Sequence, residues 1–341
     1  MGGPEADDRS ERTSVTERQD IEALVLGRVG ADLYPLQHET PLEEVRTFER
    51  FVGGCAGNVA TGLARLGVRT AIVSAVGDDG HGRFVRSFLD AEGVDTRWLA
   101  THPTLRTALA FCEVWPPDDF PTTFYRLPTC PDWELRLDQL PLDAIRGTRL
   151  LYATGTGLAR EPSRTATLGA LAERSAGRGE PSSDGSGPLV TILDLDWKPV
   201  LWDEPTAFPT LVRRALPSVD IVLGGVSEFA GAALVPPDSL AFGPWVAVLK
   251  RGPDGVRVFR RDATEDVPGL PVPVTNGLGA GDAFAAAFGA ALLAGLDVPA
   301  AARRANAAGA IVATRLSCSA AMPRPQEIDA LLAGSGVPSA A

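Results

Sequence analysis

The chain has 341 residues, with 32 basic and 43 acidic side chains and a formal net charge of −11. A chain of this length can bury a large apolar core without disulfides or a structural metal, and its acidic balance excludes the basic footprint of a nucleic-acid-binding protein. No run of about 18 apolar residues predicts a membrane span, and the polar start contains no apolar leader. The four cysteines form no CxxC pair and are expected to be reduced thiols. We therefore expect a cytoplasmic protein with neither nucleic acid nor membrane as a partner.

Residues 1–20 are polar and predict a disordered tail, after which 21–27 form a short buried strand that ends in glycine. Strands and helices then alternate along the chain, which predicts a mostly parallel sheet with helices on both faces. In such folds, ligands bind beyond the carboxyl ends of the strands. The further strands are predicted over 70–77, 189–196, 220–225 and 245–252, and helices over 82–92 and 164–176.

Two stretches interrupt this alternation. Residues 33–51 and 105–127 are rich in aromatic, threonine and arginine residues, and the second predicts a hairpin around the sequence WPPDDFP. Strands inserted in this way are expected to form a small sheet that covers a site. Residues 177–187 contain no core-forming side chains and predict a surface loop without a chemical role, and 331–341 predict a flexible tail.

The sharpest motif lies in residues 276–295, where Gly277, Gly279 and Gly281 surround the start of a predicted helix and Asp282 falls in its first turn. Glycines there allow backbone N–H groups to approach an anion closely, and the helix N-terminus favours negative charge. A carboxylate beside a bound phosphoryl group can accept a hydroxyl proton, as a kinase requires. Asp282 alone is equally well explained by the helix dipole, but that explanation does not account for the three glycines.

A second glycine-rich segment, residues 51–67, places Gly53, Gly54 and Gly57 before another predicted helix. It is either a tight packing loop or a backbone platform for a polyhydroxy ligand, to which Asn58 would offer a donor and acceptors. Asp32 directly follows the first strand, at the ligand-binding end of the sheet, although a lone aspartate there is most often a solvated turn residue. The chain contains neither GxGxxG nor GxxxxGK[ST], so a dinucleotide site or P-loop is not supported.

The pairing of GGCAGN (53–58) with GAGD (279–282) resembles the ribokinase-like (PfkB) sugar kinase family, and the match extends over residues 21–330. The resemblance implies an α/β fold: a Rossmann-type three-layer sandwich with a mostly parallel central sheet and a small β-sheet lid formed by 33–51 and 105–127. It also implies that the γ-phosphoryl group of ATP is transferred to a sugar hydroxyl with Mg²⁺.

The resemblance assigns roles by position. Asp282 would be the catalytic base, Glu228 would help to order hydrated Mg²⁺, and Lys198 would place positive charge near the phosphates. The remaining roles fall into four groups: Gly279, Ala280 and Gly281 in the anion hole; Asp32, Gly54 and Asn58 in the sugar platform; Gly252 and Gly255 in the nucleotide loop; and Asn306 beside the adenine.

A narrower resemblance is to the members that phosphorylate the C6 hydroxyl of 5-dehydro-2-deoxygluconate in myo-inositol catabolism. It implies a six-carbon keto-deoxy sugar acid as substrate, whose carboxylate Arg126 could bind through two parallel hydrogen bonds. Without the resemblance, Arg126 would be an exposed charge on the hairpin. The narrower match is carried by residues 27–37, 124–126, 193–202, 250–255 and 305–323.

Three segments depart from the general family pattern. Asn276-Gly277 replaces Asp-Thr, which leaves the need for a monovalent cation open, and Gly225 replaces an asparagine. Asp194, Asp196 and Lys198 stand where many members have Asp-x-Asn-x-Arg. Kinases of 2-keto-3-deoxygluconate, fructose or a nucleoside stay open as alternatives, as does a non-catalytic sugar- or nucleotide-binding sensor. The sequence is compatible with a homodimer and does not decide it.

Overall fold

The computed structural model describes residues 21–176 and 189–334. The tail predicted over 1–20 and the loop predicted over 177–187 lie outside the described residues. The flexible tail predicted from residue 331 begins too early, because 331–334 complete the last helix.

Within the described residues, a nine-stranded sheet forms the centre of the molecule. Seven of its strands are parallel, and two antiparallel strands, late in the sequence, form one edge. The predicted strands over 70–77, 189–196, 220–225 and 245–252 are confirmed. The spatial order is β13 (Thr264–Val267), β12 (Val256–Phe259), β11 (Val246–Lys250), β10 (Ile221–Gly225), β9 (Val190–Asp194), β8 (Leu150–Thr154), β1 (Ala23–Leu26), β4 (Thr70–Gly77) and β5 (Leu99–His102).

Helices cover both faces of this sheet. Side chains alternate along β1, so that Ala23 and Val25 enter one apolar core and Leu24 and Leu26 enter the other. The first core contains residues of α1, α2, α7, α8 and α9, and the second contains residues of α3, α4, α5 and α6. The predicted three-layer α/β architecture is therefore confirmed. The helices are α1 (Cys55–Arg65), α2 (Gly80–Ala91), α3 (Leu142–Gly147), α4 (Ser163–Ala176), α5 (Phe208–Ala215), α6 (Val226–Gly231), α7 (Ala280–Leu293), α8 (Val298–Ala313) and α9 (Pro325–Gly334).

The two stretches that interrupt the alternation form a second, four-stranded sheet, as predicted. Its strands in spatial order are β3 (Phe48–Gly53), β2 (Gly30–Pro35), β6 (Leu109–Cys112) and β7 (Thr122–Tyr125). The expected hairpin is confirmed, because β6 and β7 pair antiparallel. We call this sheet the lid.

The position of Asp32 differs from the prediction. Asp32 does not follow the first strand of the large sheet; it lies inside β2 of the lid, opposite Phe51 of β3 and Ala110 of β6. The reason is that only Gly27, Arg28 and Val29 separate β1 from β2, so the chain passes from one sheet directly into the other. None of the helices in the described ranges has the length and apolar character needed to cross a membrane.

Candidate active site

A cavity of about 450 Å³ lies between the lid and the carboxyl ends of β9 and β11. It is lined by most of the residues that the sequence singled out. These are Asp32, Gly54, Asn58, Arg126, Lys198, Glu228, Gly279, Gly281 and Asp282. Residues far apart in the chain therefore share one site, as the predicted chemistry requires.

Asp282 lies in the first turn of α7 and is held by two donors from α1. Cys55 Sγ donates to Asp282 Oδ1 at 3.0 Å, and Asn58 Nδ2 donates to Asp282 Oδ2 at 2.7 Å. Burial raises the pKa of Asp282, and these two hydrogen bonds oppose the rise. The carboxylate is thus fixed in orientation and is more basic than an ordinary exposed aspartate.

The start of α7 is built to face an anion. Gly279 precedes the helix with φ 82°, and a Cβ there would lie 2.9 Å from Cys318 Sγ, so only glycine fits. In the described part of the chain, no side chain caps this helix. The Ala280 N–H donates to the Gly277 carbonyl at 3.4 Å. The N–H groups of Gly281 and Asp282 have no acceptor among the described residues, and the helix dipole favours negative charge beside them.

The structure adds a role for Asn58 that the sequence did not predict. Helix α1 starts at Cys55, so Gly57 and Asn58 lie in its first turns rather than before it. The Asn58 amide donates to Asp282, and its Oδ1 accepts a hydrogen bond from Ser319 Oγ at 2.5 Å. Both ends of the amide contact the protein, so Asn58 positions Asp282. Its second N–H is left over, and because Asn58 lines the cavity, its contact with the sugar stays a prediction.

Asp32 approaches the cavity from the lid. Gly53 on the neighbouring strand makes room for it, because a Cβ at Gly53 would lie 1.9 Å from Asp32 Oδ2. Burial raises the pKa of Asp32 to about 7; Arg28 lowers it, and the carboxylate of Asp282 adds to the rise. Asp32 therefore titrates near neutral pH in the ligand-free protein.

Arg126 follows β7 and lines the cavity, but it is not the exposed hairpin charge that the sequence alone suggested. Its side chain is 4% exposed, it pairs with Asp132, and its guanidinium lies 4.6 Å from the centre of the Trp133 ring. Asp132 also accepts a hydrogen bond from the Val29 N–H at 3.0 Å. Arg126 Nε has no hydrogen-bond partner among the described residues.

The residues predicted for the nucleotide loop and the adenine, Gly252, Gly255 and Asn306, are not among those that line the cavity. Gly255 and Asn306 both lie against the segment that follows β13. Gly255 packs against 267–269, where a Cβ would lie 2.2 Å from the Val267 carbonyl oxygen. Asn306 on α8 donates to the carbonyls of Val267 and Pro268 at 3.1 and 2.9 Å. Gly252 and Gly255 bound the turn between β11 and β12, with φ of 59° and 79°.

Asn276, which stands where the family pattern has aspartate, has a structural role. Its side chain is fully buried, its Nδ2 donates to the Leu316 carbonyl at 2.6 Å, and its Oδ1 accepts from the Leu278 N–H at 3.0 Å. Asn276 thus fixes the loop that leads into α7.

Sequence reasoning missed Lys250, which ends β11 and lines the cavity. Lys250 Nζ donates to both carboxylate oxygens of Asp194, at 3.0 and 3.2 Å, and lies 3.8 Å from Glu228 Oε2. Burial lowers the pKa of Lys250, but these two carboxylates outweigh it and hold the pKa above its ordinary value. The available signal was the basic pair Lys250-Arg251 at the carboxyl end of a buried strand.

Cys55 and Arg28 were also missed as site residues. Arg28 Nη2 lies 2.9 Å from Asp196 Oδ2, and its Nε donates to Thr156 Oγ1 at 2.8 Å. Both residues line the cavity. Their role depends on partners distant in sequence, which local patterns do not reveal.

Comparison with known proteins agrees with this geometry. The model of the pfkB family carbohydrate kinases matches residues 20–325. The chain belongs to this family. It is 31% identical over 329 residues to the 5-dehydro-2-deoxygluconokinase of Bacillus anthracis (strain CDC 684 / NRRL 3495), an alignment that covers 93% of this chain and 96% of that relative.

Solved structures of pfkB-type sugar kinases have the same fold. A fructokinase from Xylella fastidiosa with bound ATP superposes with a TM-score of 0.79 at 23% identity, covering 92% of this chain and 98% of the other. A fructokinase double mutant from Vibrio cholerae O395, with fructose, ADP and potassium bound, has a TM-score of 0.78 at 25% identity, covering 92% and 99%. The predicted ribokinase-like fold is confirmed, and the chain is a carbohydrate kinase of this family.

Proposed function

We propose that this carbohydrate kinase transfers the γ-phosphoryl group of ATP to the primary hydroxyl of a six-carbon keto-deoxy sugar acid, 5-dehydro-2-deoxygluconate, to give its 6-phosphate. The observation that carries the proposal is that Asp282, at the N-terminus of α7, and Asp32 of the lid line the same cavity. The relatives named 5-dehydro-2-deoxygluconokinase support this choice of sugar.

The residues of the cavity suit an in-line displacement. The sugar would lie between the lid and the large sheet, beside Asp32 and Gly54. As the hydroxyl oxygen attacks the γ-phosphorus, its proton passes to Asp282 and the bond from phosphorus to the β,γ-bridging oxygen breaks, releasing ADP. The N–H groups of Gly281 and Asp282 offset the negative charge on the transferring group.

Arg126 is our proposed partner for the carboxylate of the sugar acid. A guanidinium carries five N–H donors, and the pairing of Arg126 with Asp132 uses only part of them. Since Asp132 fixes the position of the guanidinium, the arginine can bind an acidic substrate without first being ordered.

The nucleotide would lie toward Lys198, with Gly252 and Gly255 in its loop and Asn306 near the adenine. Among the described residues, no cluster of three or more His, Cys, Asp or Glu side chains could hold a metal alone. Glu228 and Asp194 nevertheless bring carboxylate oxygens into the cavity, the ligand type that suits Mg²⁺ bound mainly through water and phosphates. When bound with ATP, Mg²⁺ would neutralise phosphate charge.

We assign the activity to one kinase unit over residues 21–330, working in the cytoplasm, with a homodimer as a compatible assembly. We interpret the departures at Gly225 and Asn276 as variation within the family, and the same assay with varied salt tests whether a monovalent cation assists.

The test is turnover on a substrate panel with coupled ADP detection. We expect the highest kcat/KM on 5-dehydro-2-deoxygluconate, above 2-keto-3-deoxygluconate, fructose and nucleosides. A higher value on another sugar would contradict the proposed substrate. Calorimetric binding of sugar and nucleotide with no ADP release would contradict catalysis and indicate a sensor.

A further inference from the structure

The positive charges of this chain are distributed in an unusual way. Thirty of its basic residues are arginine, and only two, Lys198 and Lys250, are lysine. Both lysines line the same cavity. An ammonium is a compact point charge with three rotatable donors, whereas a guanidinium is a broad planar fork. The cavity thus contains both of the compact, rotatable cations that the chain has.

Lys250 occupies a costly position. Its side chain is 17% exposed and lies against the buried carboxylate of Asp194 and the partly buried carboxylate of Glu228, which also line the cavity. Burying charged groups costs free energy that their mutual attraction often fails to recover, and an apolar replacement is frequently no less stable. Stability of the fold therefore does not explain this cluster.

The ammonium of Lys250 lies at the anion-facing end of α7. A Cβ on Gly281 would lie only 3.4 Å from Lys250 Nζ, and Lys250 attracts the negative charge of Asp282. Both of its hydrogen bonds go to one partner, Asp194. Because an ammonium has three donors, it can retain this partner and still donate toward an anion at the helix terminus.

Two of the three other cations that line the cavity have fixed partners; the third, Lys198, has no such partner among the residues that the structure describes and is already placed toward the nucleotide. Arg28 is held by Asp196 and Thr156, and Arg126 is paired with Asp132. The cavity also contains several carboxylates, which would repel a nucleotide. Lys250 is thus the cation best placed to offset that repulsion beside Gly281.

We propose that Lys250 is a further catalytic residue, whose ammonium donates a hydrogen bond to the transferring phosphoryl group. The proposal rests on the proposed kinase reaction and adds no covalent step. Lys250 keeps its proton throughout, while the hydroxyl proton goes to Asp282 and ADP leaves. Asp194 and Glu228 hold the ammonium in place before the nucleotide arrives.

The first experiment uses the presence of only two lysines. Protein labelled with ¹³C,¹⁵N-lysine gives side-chain signals from two residues, which a Lys198→Arg variant assigns. Saturation with AMP-PNP and Mg²⁺ is expected to shift the Lys250 signals, and AMP is expected to shift them far less. Calorimetric binding of AMP-PNP that leaves the Lys250 signals unmoved would overturn the proposal. Absence of any nucleotide binding would instead overturn the proposed function.

The second experiment separates a catalytic role of Lys250 from a role in neutralising the charge of Asp194. Lys250→Met is expected to lower kcat by about 10²–10³-fold, as loss of a transition-state donor does, and to weaken AMP-PNP binding more than AMP binding. Lys250→Met/Asp194→Asn removes the unpaired carboxylate and is expected to regain thermal stability. Because Asp194 is also a candidate for binding hydrated Mg²⁺, the reference is Asp194→Asn alone, and the turnover of the double variant is expected to stay well below that of this single variant. Recovery of turnover in the double variant to the level of Asp194→Asn, or near-normal kcat in Lys250→Met, would overturn the proposal. Arg257→Met, which removes an exposed charge paired with Asp266, is the matched control and is expected to retain activity.

Discussion

Asn58 Nδ2 lies 2.7 Å from Asp282 Oδ2, so the start of α1 orients the carboxylate at the start of α7. Cys55, one turn earlier on α1, donates to the other oxygen, and Ser319 fixes the far end of the Asn58 amide. The Asp282 carboxylate is therefore oriented in the absence of substrate, by donors on a single rigid element.

We expect Asn58→Ala to lower kcat by roughly tenfold to hundredfold, because misplacement of a catalytic group by about 1 Å can cost that much. KM for the sugar should change less, since Asn58 contacts Asp282 directly. Steady-state kinetics with ADP detection measures both constants. Cys55→Ser is the matched comparison, because its hydroxyl still donates to Asp282 and turnover should be largely kept. An Asn58→Ala variant with an unchanged kcat and an altered KM for the sugar would contradict the positioning role.

Asn58 and Asp282 show what the sequence could and could not predict about the site. The glycine pattern around Asp282 correctly predicted that a helix starts there, because the tight turn before it requires glycine locally. The catalytic role of Asp282 stays a prediction. Asn58 was assigned only to the ligand because its partners, Asp282 and Ser319, are more than two hundred residues away. Lys250 was missed for the same reason, since only the fold brings Asp194 and Glu228 to it.

For the lid, too, the sequence predicted the local elements but not the contacts between distant residues. Composition alone located the two inserted stretches, since short aromatic and threonine-rich runs favour strands. The sequence did not show that Asp32 belongs to the lid, because three residues suffice to connect the two sheets. The sequence also did not show that Asp132 pairs with Arg126. Both side chains are buried in the folded chain, and their burial cannot be seen in the local pattern.

We predict that Asp32→Asn stabilises the protein more at pH 8 than at pH 5. Burial raises the pKa of Asp32 to about 7 in the folded state, against about 4 in the unfolded chain. The folded state then binds more protons between these values, so the contribution of Asp32 to stability falls as pH rises from about 4 to 7. The gain in the variant should reach a few kcal/mol at most, on the order of 1.4 kcal/mol per pKa unit. Thermal unfolding at both pH values checks this, and an equal gain at each would contradict it.

We predict that Arg126→Met raises KM for acidic sugars by roughly tenfold to hundredfold, the worth of a charge-assisted hydrogen bond. KM for neutral fructose should be unchanged. The substitution also leaves Asp132 buried without its cation, which should lower stability by about 3–5 kcal/mol. The control is Arg126→Met/Asp132→Asn, which should recover stability while KM stays high. An equal rise for fructose and the sugar acid would exclude a carboxylate contact.

The central claim is that Asp282 removes the hydroxyl proton during phosphoryl transfer. The most direct measurement is the single-turnover rate of sugar phosphate formation in Asp282→Asn, with thermal unfolding and nucleotide binding measured on the same preparation. We predict an intact fold, retained nucleotide binding and a rate lowered by roughly 10²–10⁴-fold. A folded, nucleotide-binding variant that forms sugar phosphate at nearly the wild-type rate would contradict the account.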